Sequence, residues 1–309
     1  MIAQLRGISL GIAAEVLRSL AIAVGIVVLT FFLLRMIPGD VVDVIGLEGS
    51  LTYEQQANLR AEMGLTRSWG EQFWLWLGMI AGGDFGLSSR FAIPVTQLIG
   101  AVLGSTITLG LSALTIGICL GVGLPVLAAI YPRSAFVWLA EAITIWSITV
   151  PTFSTGIAAV VVFAVWLGMI PAIGNLSAPA LILGIDIAGS IAKILREDMK
   201  EIESADFIRT ARAKGLSRTR IVLAHILPNA MTVTLALVGL IFSNVLTGAI
   251  TMEIVFGRPG IGTLALQAIK GRDYPLVQTI IIWLGIAVII ANLVADIAQR
   301  FVDPRIRLR

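Results

Sequence analysis

The chain carries one cysteine, Cys119, and one histidine, His225, in 309 residues, and only 13% of it is charged. One cysteine closes no intrachain disulfide. One Cys with one His is too few to hold a zinc, haem or iron–sulfur centre or to form a Cys–His catalytic pair. A soluble domain is about a quarter charged, so a chain with half that and a mean hydropathy of +0.95 is excluded from the soluble enzymes. Disorder is excluded too, since it needs low hydrophobicity and high net charge, whereas 57% of these residues are hydrophobic and 22 Lys+Arg against 19 Asp+Glu leave only +3. No G-x-x-x-x-G-K-[ST] phosphate loop occurs, which excludes ATP hydrolysis by this chain through that motif. The pI near 9.3 invites a nucleic-acid reading. The basic residues are nevertheless confined to certain segments and the remainder is apolar, so the partner implied is membrane lipid and not nucleic acid.

What is present is a series of long uncharged runs. A transmembrane helix needs about 20 mostly apolar residues. Ser19–Leu34 is free of charge and, with Ile8–Leu17 before it, makes a first span. Arg6 before an apolar stretch resembles a secretory signal, but no small-residue cleavage site follows, which favours a retained anchor. Phe91–Pro132 is uncharged; its proline-containing start (FAIPVTQLIG) reads as an approach segment, leaving a second span at about 101–130. The turn YPRS leads to a third span at about 135–167 containing Glu141 and Pro151, and PAIGNLSAP at 171–179 reads as a loop. A fourth, short span at about 180–195 carries Asp186; Ile221–Met252 and Tyr274–Ala295 are the fifth and sixth. The expected fold class is therefore all-α, a polytopic membrane protein with six transmembrane helices. Continuous apolar runs without inside–outside alternation argue against a barrel.

Charge orients the spans. The 36–100 segment has Arg60, Arg67 and Arg90 against Asp40, Asp43, Glu48, Glu54, Glu62, Glu71 and Asp84, and reads as external. The 193–220 segment is rich in Lys and Arg, and Arg300, Arg305, Arg307 and Arg309 follow the sixth span. The positive-inside rule places both termini and that loop in the cytoplasm. Arg258, Lys270 and Arg272 fall on the outer side in this arrangement. The expected organisation is an N-terminal segment with the first helix (1–35), an external segment (36–100) and a five-helix core (101–309) with a cytoplasmic loop at 196–230.

That loop, REDMKEIESADFIRTARAKGLSRTRIVLAHILPNA, reads as helix to Gly215, a turn, and a second helix with Pro228 near the start of the next span. A basic amphipathic loop on anionic lipid is one reading. The five acids Glu197, Asp198, Glu201, Glu203 and Asp206 that precede the bases suit a helix docking on a protein.

The run Arg209, Thr210, Ala211, Arg212, Ala213, Lys214, Gly215, followed by Pro228 within ILP, resembles the EAA loop of ABC importer permeases, and DFIRTARAKGL with HILPNA resembles the peptide/nickel branch. FLLRMIPGD (32–40), MGL (63–65), GDFGLSSR (83–90), VPTF (150–153), GMIPAIG (168–174), EIVFGRPGIGTL (253–264), RDYPLVQ (272–278) and NLVADIAQRFVDPRIR (292–307) follow the order of a dipeptide-permease-B-like subunit. One departure stands out: the acidic residue that opens the motif in sugar permeases is Arg209 here. The resemblance implies a type I importer permease fold (MetI-like) in a bacterial or archaeal inner membrane, with no cofactor in this chain and with ATP and Mg bound by partners. It implies as partners a second homologous permease, two cytoplasmic ATPases and an external substrate-binding protein, and as cargo short peptides, nickel or a metal complex, opines or glutathione. Residues 211–215 would then sit at a helix–turn in a cleft of the ATPase. Small Ala211 and Ala213 permit close approach, and Gly215 permits the positive φ of the turn.

Within the spans, an ionisable group costs ~2.5–3.5 kcal/mol at the bilayer centre and should face protein or water. Asp186 reads as lining the translocation path, where it would attract a cationic group, as a structural partner of Ser190 one turn on, or simply as lying near the membrane interface. Glu141 and Asp296, the latter with Arg300, read as structural. Gly100, Gly104, Gly117, Gly121 and Gly123 read as helix packing. Pro151 and Pro171 kink or end the third span, and a kink beside a cavity suits a gate. Trp69, Phe73, Trp74 and Trp76 read either as an interfacial stretch or as the core of an external mini-domain. The competing class, an ion-driven secondary transporter, predicts charged relays in several spans and internal repeats; Asp186 alone fits the first, and no clear repeat is visible.

Overall fold

The computed structural model describes the backbone of residues 2–49, 51–236 and 238–302 and the side chains of 15–46, 49, 51–231, 234 and 241–294. The Asp296–Arg300 pair and the last three arginines of the tail lie outside the described side chains.

Helix α1 (Ile2–Met36) runs unbroken into three short helices, α2 (Val41–Gly49), α3 (Tyr53–Glu62) and α4 (Trp69–Ala81). Capping boxes start α3 (Thr52 with Gln55) and α4 (Ser68 with Glu71), satisfying the first orphan N–H groups of two helices in which no residue is fully buried. Helix α5 (Val95–Ile130) begins directly after Pro94 rather than near residue 101, because nothing in VTQLIG breaks a helix once the proline has set its start. Helices α6 (Ala135–Thr149) and α7 (Thr152–Ala159, continued as a π-helical turn Val160–Trp166) replace the expected single third span and meet at 101°. The break is at Pro151: Val150, which precedes it, is extended at φ −107° and ψ 117°, as a residue before proline prefers. Helix α8 (Ser177–Glu203) is longer than the expected 180–195. Then come α9 (Asp206–Ala213), α10 (Arg218–Ile221), a π turn (Val222–Ile226), α11 (Leu227–Ala236), α12 (Val238–Val255), α13 (Ile261–Lys270) and α14 (Tyr274–Val302). Among the described residues, four helices are long and apolar enough to cross a bilayer, and the bent α6–α7 pair makes five. The expected fifth span, Ile221–Met252, overlaps α11 and α12, and among the described residues it includes the apolar helical stretch that begins at Ile241.

The chain divides into two compact units. The first comprises Met1–Val16, Ser105–Arg258 and Val288–Arg309. Its core gathers Leu109, Leu183, Ile187, Ile191, Met252 and Phe256 around α8. Helix α8 is rich in small residues where neighbours press closest. A Cβ on Gly121 would lie 2.9 Å from the carbonyl oxygen of Ala188, and one on Gly184 would lie 2.7 Å from Ile116, so α5 and α8 meet almost backbone to backbone. Of the five glycines read as packing residues, only Gly117 and Gly121 do this; Gly100, Gly104 and Gly123 face open space. Two ends of this unit are marked by side chains. At one, Arg218 donates to the carbonyl of Ala129 at 2.5 Å; at the other, Arg258 reaches Thr108 Oγ1 and the carbonyl of Gly174, each at 3.4 Å. Ala129 and Thr108 are 21 residues apart on α5, roughly 31 Å of helix. The segment from Ser134 to Gly174 thus starts beside one end and finishes at the other.

The second unit comprises Leu17–Gly104 and Pro259–Ala287. Val95, Ile99, Ile261, Leu264, Leu276 and Ile280 form its core. The C-terminal end of α1 and the N-terminal end of α14 lie together there: the Tyr274 hydroxyl donates to the Gly39 carbonyl at 2.7 Å. Buried Asp273 accepts from the Ser88 hydroxyl, from the N–H groups of Ser89 (3.2 Å) and Arg90 (3.3 Å), and from that of Leu276 (3.3 Å). One carboxylate therefore ties GDFGLSSR to RDYPLVQ and caps α14. The tryptophan cluster divides between its two readings. Phe73 and Trp76 pack on Phe31 with centroids 5.1 and 5.2 Å away, while Trp74 remains 70% exposed.

Candidate functional site

The 196–220 segment is built from the inside out. Helix α9 is strongly amphipathic: Ile208 and Ala211 are buried against Leu195, Met199, Ile221 and Ile226, while Arg209, Thr210, Arg212, Ala213 and Lys214 face outward. The two alanines therefore differ in use. Ala211 lets α9 sit close on its own chain, and Ala213 leaves the outer face low.

The turn that ends α9 is a Schellman motif. Gly215 N–H bonds the Arg212 carbonyl at 2.9 Å, Leu216 N–H bonds the Ala211 carbonyl at 3.3 Å, and Gly215 has φ +77°, where a Cβ is strained. Ser217 then caps α10 by accepting from Arg220 N–H at 3.4 Å. The helix does not run unbroken to Gly215 as the sequence suggests. It stops at Ser204, and Ala205 is extended at φ −67° and ψ 149°. No glycine or proline marks this break; its cause is tertiary, since only a turn there returns Ile208 and Ala211 to the core.

Glu203 holds the turn from behind. It accepts from Arg212 at 2.7 Å and from Arg218 at 3.4 Å, and Arg218 also bonds Ala129. Lys214 and Arg220 make no ion pair among the described residues. Sequence reasoning missed Glu203 as a hub, although its spacing of nine residues to Arg212 is too long for one helix and so already hints at a folded-back pair. Pro228 is exposed in the first turn of α11, directly after the π turn. It offers no N–H and follows the π turn, which Leu227 N–H closes on the Val222 carbonyl; separately, the Asn229 side chain donates to the His225 carbonyl at 2.6 Å.

Asp186 and Pro151, expected in the path, are brought together. Asp186 lies half-buried on α8, and the side chain of Thr152, the first residue of α7 after Pro151, lies beside its carboxylate. Ser190 does not bond the carboxylate; its hydroxyl donates to the Asp186 backbone carbonyl at 3.3 Å. Thr152 escaped sequence reasoning, although a hydroxyl at the start of a helix following proline is its signal. Glu141 has the structural partner its position suggests: it is ion-paired with Arg196, joining α6 to α8. No group of three or more His, Cys, Asp or Glu able to hold a metal occurs among the described residues.

Comparison with known proteins places this arrangement. Residues 121–308 match the family of binding-protein-dependent transport system inner membrane components. A putative peptide transport system permease protein of Brucella abortus is 33% identical over 96% of this chain and 98% of its own length. The dipeptide transport system permease protein of Escherichia coli K12 is 31% identical over 92% of this chain and 94% of its own length. Among solved structures, a methionine ABC transporter in inward-facing conformations covers 67% of this chain and 97% of its own at 20% identity, with a TM-score of 0.57. An amino acid ABC transporter crystallised with histidines covers 66% and 94% at 20% identity, with a TM-score of 0.54. At those identities the likeness is one of fold.

Proposed function

The chain belongs to the family of binding-protein-dependent transport system inner membrane components, and on that premise we propose that it is one of two permease subunits of an ATP-driven importer of short peptides. The naming of its relatives as peptide and dipeptide permeases supports the substrate class. In this reading six spans cross the membrane with both termini in the cytoplasm. The α6–α7 pair counts as one crossing because its chain connects the two ends of α5's inner stretch. The shared location of the α1 C-terminus and the α14 N-terminus supports an even number of crossings between them.

Two cytoplasmic ATPases, which bind ATP and Mg, receive the outward face of α9 and the Gly215 turn. A homologous permease completes the path, and an external binding protein delivers peptide to 36–100 and 253–275. Asp186, beside Thr152 of the Pro151 break, lines the path and offers its carboxylate to the peptide ammonium. Nucleotide state then biases two arrangements of the spans through the docked helix, a coupling between separate sites.

The observation that carries the proposal is the built form of α9: Ile208 and Ala211 on its inner face are locked into the core, while Arg209, Ala213 and Lys214 stay exposed beside the Gly215 turn that Glu203 braces through Arg212. The test places cysteine at Ala213 and measures crosslinking to co-expressed ATPase together with dipeptide uptake. A crosslink and ATP-dependent uptake are expected, and Gly215→Glu should abolish uptake while the protein still inserts. No crosslink, with uptake indifferent to ATP depletion but lost with the ion gradient, would instead identify a secondary transporter.

A further inference from the structure

The second unit contains a cleft of about 410 Å³ between the end of α1, the α3–α4 connection and the start of α14; the importer reading docks the binding protein on the segments around it but puts no ligand in the cleft itself. Two polar groups in it lack what burial demands. Arg35 is half-buried, its guanidinium 3.5 Å from the centre of the Phe31 ring. Its Nε donates to Gln72 at 3.0 Å and its Nη1 to the Phe31 carbonyl at 3.3 Å, yet no carboxylate pairs with it among the described residues. Gln278 is 2% exposed, and its side-chain amide nitrogen has no hydrogen-bond partner. A partly desolvated cation without a counter-charge is costly, and so is a buried donor without an acceptor. Water would satisfy the amide but not the charge. A single anion with several oxygens satisfies both.

The surroundings say what carries the anion. Arg35 lies next to the last residue of the Glu15–Met36 span, and Gln278 one turn into the Tyr274–Val294 span, so both sit at span ends, where lipid headgroups lie. Beside Glu62, Arg67 and Ser89, the lining includes Leu75, Trp76 and Met79, with Leu75 53% and Met79 43% exposed. Leu29 and Leu33 are 60% and 57% exposed on α1, the helix that leads to Arg35. A free inorganic ion has no use for such walls; a headgroup with acyl chains does.

We propose that this cleft is a phospholipid site, in which Arg35 and the Gln278 amide hold the headgroup phosphate while the glycerol and upper acyl chains lie along Leu75, Trp76 and Met79. Arginine suits the role because its remaining guanidinium donors match phosphate oxygens. The bound lipid would tie the α1 end to the α14 start, independently of which solute the importer carries.

The test uses the full-length chain, purified in detergent and titrated with dioleoyl-phosphatidylglycerol, with bound lipid counted by native mass spectrometry. Wild type should retain one lipid per chain. Arg35→Gln should weaken retention at least tenfold and Gln278→Leu about threefold, while Arg133→Gln, which removes an exposed charge elsewhere, should not change it. Equal losses in all three variants would overturn the proposal in favour of diffuse charge attraction. Retention of inorganic phosphate or of Ala-Ala in place of lipid would overturn it in favour of a free anion site. Should a variant fail to fold, wild type alone decides the matter. A phosphatidylglycerol with a photoreactive acyl chain should label residues 72–79, and labelling confined to other segments would refute the site.

Discussion

The acidic segment 36–100 carries ten charged residues in 65, little above the chain's average, whereas the loop segment 196–220 carries twelve in 25, and the two use charge in opposite ways. In the first, the charges around Arg60 pair with one another. Arg60 donates to Asp40 at 2.8 Å and pairs with Asp43, and Arg272 approaches Asp43 at 3.9 Å. Hydrogen bonding by Asp40, helped by the charges of both aspartates, raises the Arg60 pKa above its ordinary value. These bonds tie α2 to α3 and to the residues just before α14, while α4 is held by Phe73 and Trp76 packing on Phe31. In the second segment, one acid, Glu203, fixes the turn, and Arg209, Lys214 and Arg220 stay on the surface. Sparse charge thus ties a scaffold together in one place, and dense charge is left open as a contact face in the other.

The contrast can be broken or sharpened by substitution. The largest effect should come from neither charged region but from the seam that carries force between helices. Gly121→Leu would press a side chain onto the Ala188 backbone, and we expect a loss of about 3 kcal/mol, at the upper end for overpacking, read as a collapse of monodisperse yield in detergent. Asp273→Ala should follow, at about 2–3 kcal/mol, because it strands buried donors of the 88–90 turn. Thermal unfolding should shift down while crosslinking at Ala213 persists; equal loss of both would show that the inward network is not separate from the contact face. Gly215→Ala should cost about 1 kcal/mol from the left-handed turn and reduce uptake more than melting temperature. Arg60→Ala should cost at most about 1 kcal/mol, as exposed pairs do, and less at high salt. The sign of its pH response is fixed: a raised cationic pKa gives stability that is present below the unfolded pKa and lost only as pH climbs through the folded one, so melting between pH 5 and 9 should show no step from Arg60. Smallest of all is Asp206→Ala. Its pair with Arg209 spans 3.7 Å between side chains 96% and 82% exposed, and no measurable change in melting is expected.

The sequence made the helices legible because a bilayer demands long uncharged runs, and these need no tertiary information to be seen. The break at Pro151 was legible for the same kind of reason, since a proline restricts its neighbour whatever surrounds it. The break at Ser204–Ala205 was not, because it is imposed by the need of Ile208 and Ala211 to reach Leu195 and Met199. Gly215 could be read as a turn, and its Schellman bonds bear that out. Asp186 stood out as a charge in an apolar run, but its neighbour Thr152 is 34 residues away in sequence and only the fold brings them together. Nor did periodicity separate Gly117 and Gly121 from Gly100, Gly104 and Gly123, because spacing shows that a helix face is smooth and not that another helix lies on it.

The seam itself has a mechanical meaning. Helix α8 is a single rod of 27 residues, about 40 Å long, with Asp186 a third of the way along and Glu203 at its end. Where it crosses α5, Ile187 and Ile191 fill the space that side chains on Gly117 and Gly121 would need, and Ile116 fills that of one on Gly184. Side chains seated in glycine hollows key the two helices together like teeth in a rack, and sliding one past the other would have to lift them out. On the proposed docking, a push at Glu203 would therefore move Asp186 and the facing stretch of α5 as one body.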